Sequence, residues 1–201
     1  MGPSALRQRR DRMATVLLHV CCAPCAAACV ERLRAEQFEV TLFFANANIA
    51  PPAEHARRLE AARVLAGQMD APLLVDDVAH EEWLAAAARG LEAAPEGGER
   101  CRRCFAFNLR RTAARASALG MDFFTTSLSV SPHKDSSAVL AAGRAVDERR
   151  FLARDFKRRD GFRRSIALAR SLGLYRQDYC GCEFSAGRSA AVFTRASTGS
   201  R

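Results

Sequence analysis

Short apolar runs bounded by polar residues alternate with longer stretches of helical spacing along this chain. Thr15–Val20 (TVLLHV), Glu39–Ala45 (EVTLFFA), Pro72–Val75 and Asp122–Ser127 (DFFTTS) read as strands, with Phe151–Phe156 as a fifth. Helical spacing runs from Cys25 to Glu36, with Val30 and Leu33 on one face, and from the Pro51-Pro52 start to Met69. It recurs over His80–Arg89, Cys101–Leu119, Pro132–Asp147 and Ser165–Leu172. Gly120 and Gly173 stand where helices stop.

This alternation predicts an α/β fold. A parallel sheet of about five strands carries helices on both faces, and a helical and loop extension follows at the C-terminal end. One domain over 14–186 is expected, with 1–13 a disordered basic arm and 187–201 a flexible tail. In such folds ligands bind beyond the carboxyl ends of the strands. Cys21 and Cys22 follow the first strand, Asn46 and Asn48 the second, and Ser127–His133 the fourth, so these segments are expected to meet at one sheet edge.

Charge changes the picture next. The 201 residues carry a formal net charge of +9, and all but Lys134 and Lys157 of the basic side chains are arginine. Guanidinium groups suit a polyanion, because they bind phosphate bidentately and stack on bases. A codon bias toward Arg and Ala gives the same composition. No run approaches the ~20 apolar residues that cross a bilayer. A cytoplasmic protein with no membrane partner is expected.

The eight cysteines carry the chemistry. In a reducing compartment they are not a disulfide framework. Seven fall into three groups: Cys21-Cys22-x-x-Cys25, Cys101-x-x-Cys104 and Cys180-x-Cys182. The i, i+3 pair at 101 and 104 shares a helix face. Gly181 lets its flanking thiols converge. The first group opens a helix, where the dipole favours thiolate. Cys29, one turn further on, reads as a buried structural thiol. Two groups would make a zinc site and leave other cysteines idle; six or seven thiolates match an iron–sulfur cluster better. Cys22-Ala-Pro-Cys25 between a strand and a helix also has the layout of a thiol–disulfide oxidoreductase. A zinc-containing RNA-binding module is the third reading. His19 is expected to pack in a strand, and His55 and His80 to lie on exposed helix faces.

Five stretches then carry a resemblance: LLHVCCAPC (17–25), VTLFFANANIAP (40–51), GERCRRCF (98–105), FFTTSLSVSPHKD (123–135) and GFRRSIALARSLGLYRQDYCGCEFS (161–185). In this order they resemble the QueH-type, cobalamin-independent epoxyqueuosine reductases. The resemblance covers nearly all of 15–186. It implies a fold akin to the nucleotide alpha-hydrolase (PP-loop, HUP-like) group, and a 4Fe–4S cluster with an additional mononuclear iron. It implies Cys21, Cys22, Cys101, Cys104, Cys180 and Cys182 as metal-binding residues, undivided between cluster and iron, with Cys25 as a further ligand. The implied reaction reduces the epoxide of epoxyqueuosine at the wobble position of a tRNA anticodon to queuosine, with electrons from a low-potential donor. His133, Asp135, Tyr175 and Tyr179 are the candidates for proton supply or base contact.

Overall fold

The computed structural model describes residues 12–186. Residues 1–11 of the arm expected at 1–13, and the tail at 187–201, lie outside the described residues. Arg12, at the edge of that arm, donates to Asp122 at 2.9 Å.

The chain runs β1 (Ala14–His19), α1 (Ala23–Ala35), β2 (Phe38–Phe44), α2 (Pro52–Gln68), β3 (Leu73–Val75) and α3 (His80–Trp83). A π-helical turn over Leu84–Ala88 continues α3. Then come α4 (Glu99–Ala118), β4 (Phe123–Thr126), a 3-10 turn at Ser127–Val130, α5 (Ser136–Val146), α6 (Gly161–Ser171) and α7 (Glu183–Ala186). The four strands are all parallel, in the order β3-β2-β1-β4.

Alternation along β1 and β2 explains the layers. Val16, Leu18, Val40, Leu42 and Phe44 face a core shared with α1, α2 and α6. Leu17, Phe43 and Phe124 face the opposite core, filled by Phe105, Leu109 and Ala116 of α4 and Val139 of α5. Burial on both faces makes these strands nearly continuous apolar runs.

The expected fifth strand is reduced to an isolated bridge between Phe124 and Phe151. The Leu152 amide reaches the Phe124 carbonyl at 2.8 Å, but β4 ends at Thr126 and turns into the 3-10 segment. Beyond that point the ladder has no backbone to pair with. Hydroxyls take over: Thr125 Oγ1 donates to Leu152 O at 2.8 Å, and Ser129 Oγ donates to Arg154 O at 3.1 Å. This segment lies close against α5, where a Cβ on Gly143 would come within 2.2 Å of the Phe151 ring.

Candidate metal and substrate site

The carboxyl ends of β1, β2 and β4 are laced together by side chains. His19, fully buried, has its Nε2 3.2 Å from Ala45 O and its Nδ1 2.9 Å from Thr126 Oγ1. Ala45 O can only accept, so His19 Nε2 carries the proton and donates to it; Nδ1 of the neutral ring then accepts from the Thr126 hydroxyl, whose oxygen accepts from the Leu128 amide. Burial holds this imidazole neutral, with a pKa lowered to about 4. Asn46, also expected near substrate, is 3% exposed and donates to Val20 O at 2.7 Å. Asn48 is buried and accepts from Asn108 at 3.1 Å. Both asparagines hold the scaffold, and neither lines the cavity described below.

Cys21 and Cys22 occupy the turn from β1 into α1. Cys22 is the N-cap residue, and Pro24 sits in the first helical turn. The sulfurs of Cys21, Cys22 and Cys25 all lie within 4.8 Å of one another, an arrangement able to hold a metal ion. Ser127 fixes Cys21, accepting from its amide at 3.0 Å and donating to its sulfur at 3.2 Å. The three thiols settle around one negative charge. Cys22 accepts from Cys21 and Cys25, which keeps its pKa well below that of an ordinary thiol. Its partners move the other way: the bond to Cys22 is the main reason Cys21 rises to about 12, and the bonds to Cys21 and Cys22 carry Cys25 upward as well. Cys29 is fully buried in the core, as the sequence suggested.

These three cysteines line a cavity of about 560 Å³ together with Cys180. Ser131, Pro132, His133 and Lys134 form another side, and Phe162 and Ile166 of α6 add an apolar wall. Arg176, Gln177, Asp178 and Tyr179 complete the lining near Cys180. Burial acts to depress the Lys134 pKa, but the electrostatic influence of the sulfurs of Cys180, Cys21, Cys25 and Cys22 outweighs it, and the net shift is upward. Lys134 is thus a cation set among sulfurs.

The other cysteines adjoin this group. Burial, followed by the charges of Cys180, Cys182 and Cys101, raises the Cys104 pKa; Cys101 is raised by burial and by Cys180 and Cys182. Cys182 rises through burial, and the Cys180 charge adds to it. Cys101, Cys104 and Cys182 do not line the cavity, so the six cysteines that the resemblance implies as metal-binding do not all share one pocket. Cys180 lines the cavity and is also coupled electrostatically to Cys101, Cys104 and Cys182. Every cysteine is a free thiol.

A buried ion pair holds Cys180 in place. Arg58, 2% exposed, donates from Nε to Glu54 at 2.7 Å, from Nη1 to Cys180 O at 2.9 Å and from Nη2 to Tyr179 O at 3.2 Å. Gly181, at φ +130°, passes so close that a Cβ there would lie 2.9 Å from Arg58 Nη1. Arg100, 1% exposed, similarly gathers the carbonyls of Leu91, Glu92 and Ala94 at 2.7–3.1 Å.

The candidates for proton supply separate by position. His133 is exposed and lines the cavity. Tyr179 also lines it, with its hydroxyl donating to Ala50 O at 2.7 Å. Asp135 is the N-cap of α5, accepting from the Ser137 and Ala138 amides. Tyr175 donates to Glu54 at 2.9 Å. His55 and His80 are half-buried rather than exposed: His55 meets Phe44 edge-on, and His80 stacks on Trp83. Arg58, Lys134 and Trp83 are the site residues that sequence reasoning passed over, whereas Ser127 opens the loop that it placed at this edge. Only the Glu54–Arg58 spacing of i, i+4 gave a signal.

Known proteins bear on this arrangement. Residues 16–188 match the family model described as epoxyqueuosine reductase QueH. The chain belongs to the QueH epoxyqueuosine reductase family. It is 39% identical over 182 residues to the epoxyqueuosine reductase QueH of Streptococcus pyogenes serotype M1, covering 86% of this chain and 70% of that one. Against QueH of Thermotoga maritima the identity is 35%, covering 86% of this chain and 91% of the relative. With QueH of Dehalococcoides mccartyi it is 38%, covering 85% and 91%. Among solved structures, the U34-tRNA thiolase NcsA of Methanococcus maripaludis, with its [4Fe-4S] cluster, matches with a TM-score of 0.50. The match has 11% identity and covers 97% of this chain and 67% of NcsA. At that identity the likeness bears on the fold alone, and it agrees with the expected α/β fold built on a parallel sheet. No helix among the described residues is long and apolar enough to cross a membrane.

Proposed function

We propose that this chain reduces the epoxide of epoxyqueuosine in a tRNA anticodon to the alkene of queuosine. The observation that carries the reading is one cavity lined by four thiols and a lysine, in a chain of the QueH family. The conversion takes up two electrons and two protons, breaks both carbon–oxygen bonds of the epoxide and releases the oxygen as water.

The donor set fits iron. Seven free thiols in two adjoining groups exceed what one zinc ion takes, and thiolates are the ligands of iron–sulfur clusters. We assign Cys101, Cys104, Cys180 and Cys182 to a 4Fe–4S cluster. Cys21, Cys22 and Cys25, which line the cavity, would hold a mononuclear iron. Bound there, these groups supply Lewis acidity toward an oxygen and electrons one at a time.

The side chains do the rest. The apolar wall of Phe162, Ile166 and Pro132 takes a base flipped out of a single-stranded loop. The cavity volume suits such a ligand. Lys134 holds positive charge where the leaving oxygen gains negative charge. His133, facing the cavity, delivers a proton, and Tyr179 borders the base. Asp135 and Tyr175 hold the scaffold through the helix cap and Glu54. Exposed arginines such as Arg176 meet phosphates. An unidentified low-potential protein supplies electrons, and a cytoplasmic location suits reduced thiols and a tRNA substrate.

Iron and acid-labile sulfide analysis of anaerobically purified protein, with an EPR spectrum after dithionite reduction, tests the reading. Iron with sulfide and a reduced-cluster signal are expected. Zinc without sulfide, and no signal, would refute it.

A further inference from the structure

Trp83 is the chain's single tryptophan and is 1% exposed. Its indole nitrogen Nε1 is buried and has no hydrogen-bond partner at normal distance. An N–H left unpaired in the interior costs roughly 1–3 kcal/mol, so such groups call for an explanation. The surroundings supply one. Trp83 forms a small core with Ala47, Ala87 and Cys182, and Cys104 packs against it. The ring is fixed by His80, stacked at 5.5 Å and 27°, and by Phe184 at 6.3 Å. The unpaired indole N–H thus sits in the small core that Cys104 packs against.

A second buried donor lies beside Cys104. Asn108, one helical turn beyond Cys104 and 2% exposed, places Nδ2 at 3.9 Å from Cys104 Sγ while donating to Asn48 at 3.1 Å. The backbone at Trp83 is irregular as well, for α3 gives way there to the π-helical turn over Leu84–Ala88. π turns inside helices are frequent at functional sites, because they shift side chains out of helical register.

We propose that Trp83 Nε1 and Asn108 Nδ2 are hydrogen-bond donors to a metal-bound Cys104 thiolate, and that through it they raise the reduction potential of the cluster. The proposal rests on the assignment of Cys104 to that cluster. Both residues are positioning residues, since neither meets the substrate cavity. A metal-bound thiolate keeps much of its negative charge, and reduction increases that charge. An N–H aimed at the sulfur therefore stabilises the reduced state more than the oxidised one. Burial of both donors keeps water from offering the same bond.

The single tryptophan makes the test specific. Protein labelled with 15N at the indole is loaded with its cluster, reduced with dithionite and examined by pulsed EPR; a 15N coupling to the cluster spin is expected. Redox titration of Trp83→Phe, which keeps the ring and loses the N–H, should show the reduction equilibrium shifted about tenfold toward the oxidised cluster. For a one-electron couple that is a potential lower by about 59 mV. Full iron and sulfide in Trp83→Phe with an unchanged potential would overturn the proposal. Absence of 15N coupling in the loaded wild type would also overturn it, even if Trp83→Phe fails to load. Absence of iron and sulfide from the wild type would instead overturn the cluster assignment beneath it.

Discussion

Replacing Arg58 with methionine should dismantle the support of the Cys180–Cys182 segment. The guanidinium is buried and serves three acceptors: Glu54, Tyr179 O and Cys180 O. It also lies 5.1 Å over the Tyr179 ring. Methionine fills much of the volume but leaves Glu54, 7% exposed, with the Tyr175 hydroxyl at 2.9 Å and the exposed Arg57 at 3.9 Å. Breaking a buried pair by removing one partner costs roughly 3–5 kcal/mol. The two orphaned carbonyls add about 1 kcal/mol each at the low end of the range. A loss of about 5 kcal/mol is a large part of a typical domain's stability. Adding Glu54→Gln removes the stranded charge, so the double variant should recover about 2 kcal/mol relative to Arg58→Met. Urea unfolding of the apo protein under reductant, followed by circular dichroism, measures both quantities, and iron content after reconstitution reports the site. An Arg58→Met protein within about 1 kcal/mol of wild type, with full iron, would refute the reasoning.

Gly181→Ala should lower iron content, because the strained φ of +130° and the contact with Arg58 both displace the thiols on either side; unaltered iron content would count against the clamp. Arg176→Glu, at the cavity rim, should weaken tRNA binding measured by filter retention and reduce its salt dependence while leaving iron unchanged. An affinity that does not move would remove Arg176 from the interface. Burial against Phe44 lowers the His55 pKa below its ordinary 6.5, so on acidification the unfolded chain takes up this proton first. That part of the stability is present above pH 6.5 and declines as pH falls below it. His55→Gln should flatten the decline in urea midpoint, and an identical pH profile would contradict the assignment.

The strands were legible because β1 and β2 are buried on both faces, and runs such as VLLHV and TLFF have no other use in a chain this charged. The cysteine groups were legible because few chemistries need seven thiols at such spacings. Arg58 and Arg100 were not. In a chain with so many arginines, a guanidinium on a helix reads as solvent-facing, and only tertiary contacts reveal that these two are buried around carbonyls. Asn46 and Asn48 follow a strand end, as ligand-binding residues do, but their amides are consumed by Val20 and Asn108. The Phe151–Phe156 segment has strand composition, yet β4 is too short to pair with it. Position along the chain put Asp135 and Tyr175 beside the chemistry, whereas their hydrogen bonds tie them to α5 and Glu54.

The central claim is that the thiol-lined cavity reduces an epoxide on tRNA. Anaerobic, iron-loaded protein should be incubated with dithionite and epoxyqueuosine-containing tRNA, followed by nucleoside digestion and mass spectrometry. The account predicts that epoxyqueuosine is replaced by queuosine with wild-type protein and persists with Cys22→Ala. Epoxyqueuosine left intact by wild-type protein with full iron and sulfide would contradict it.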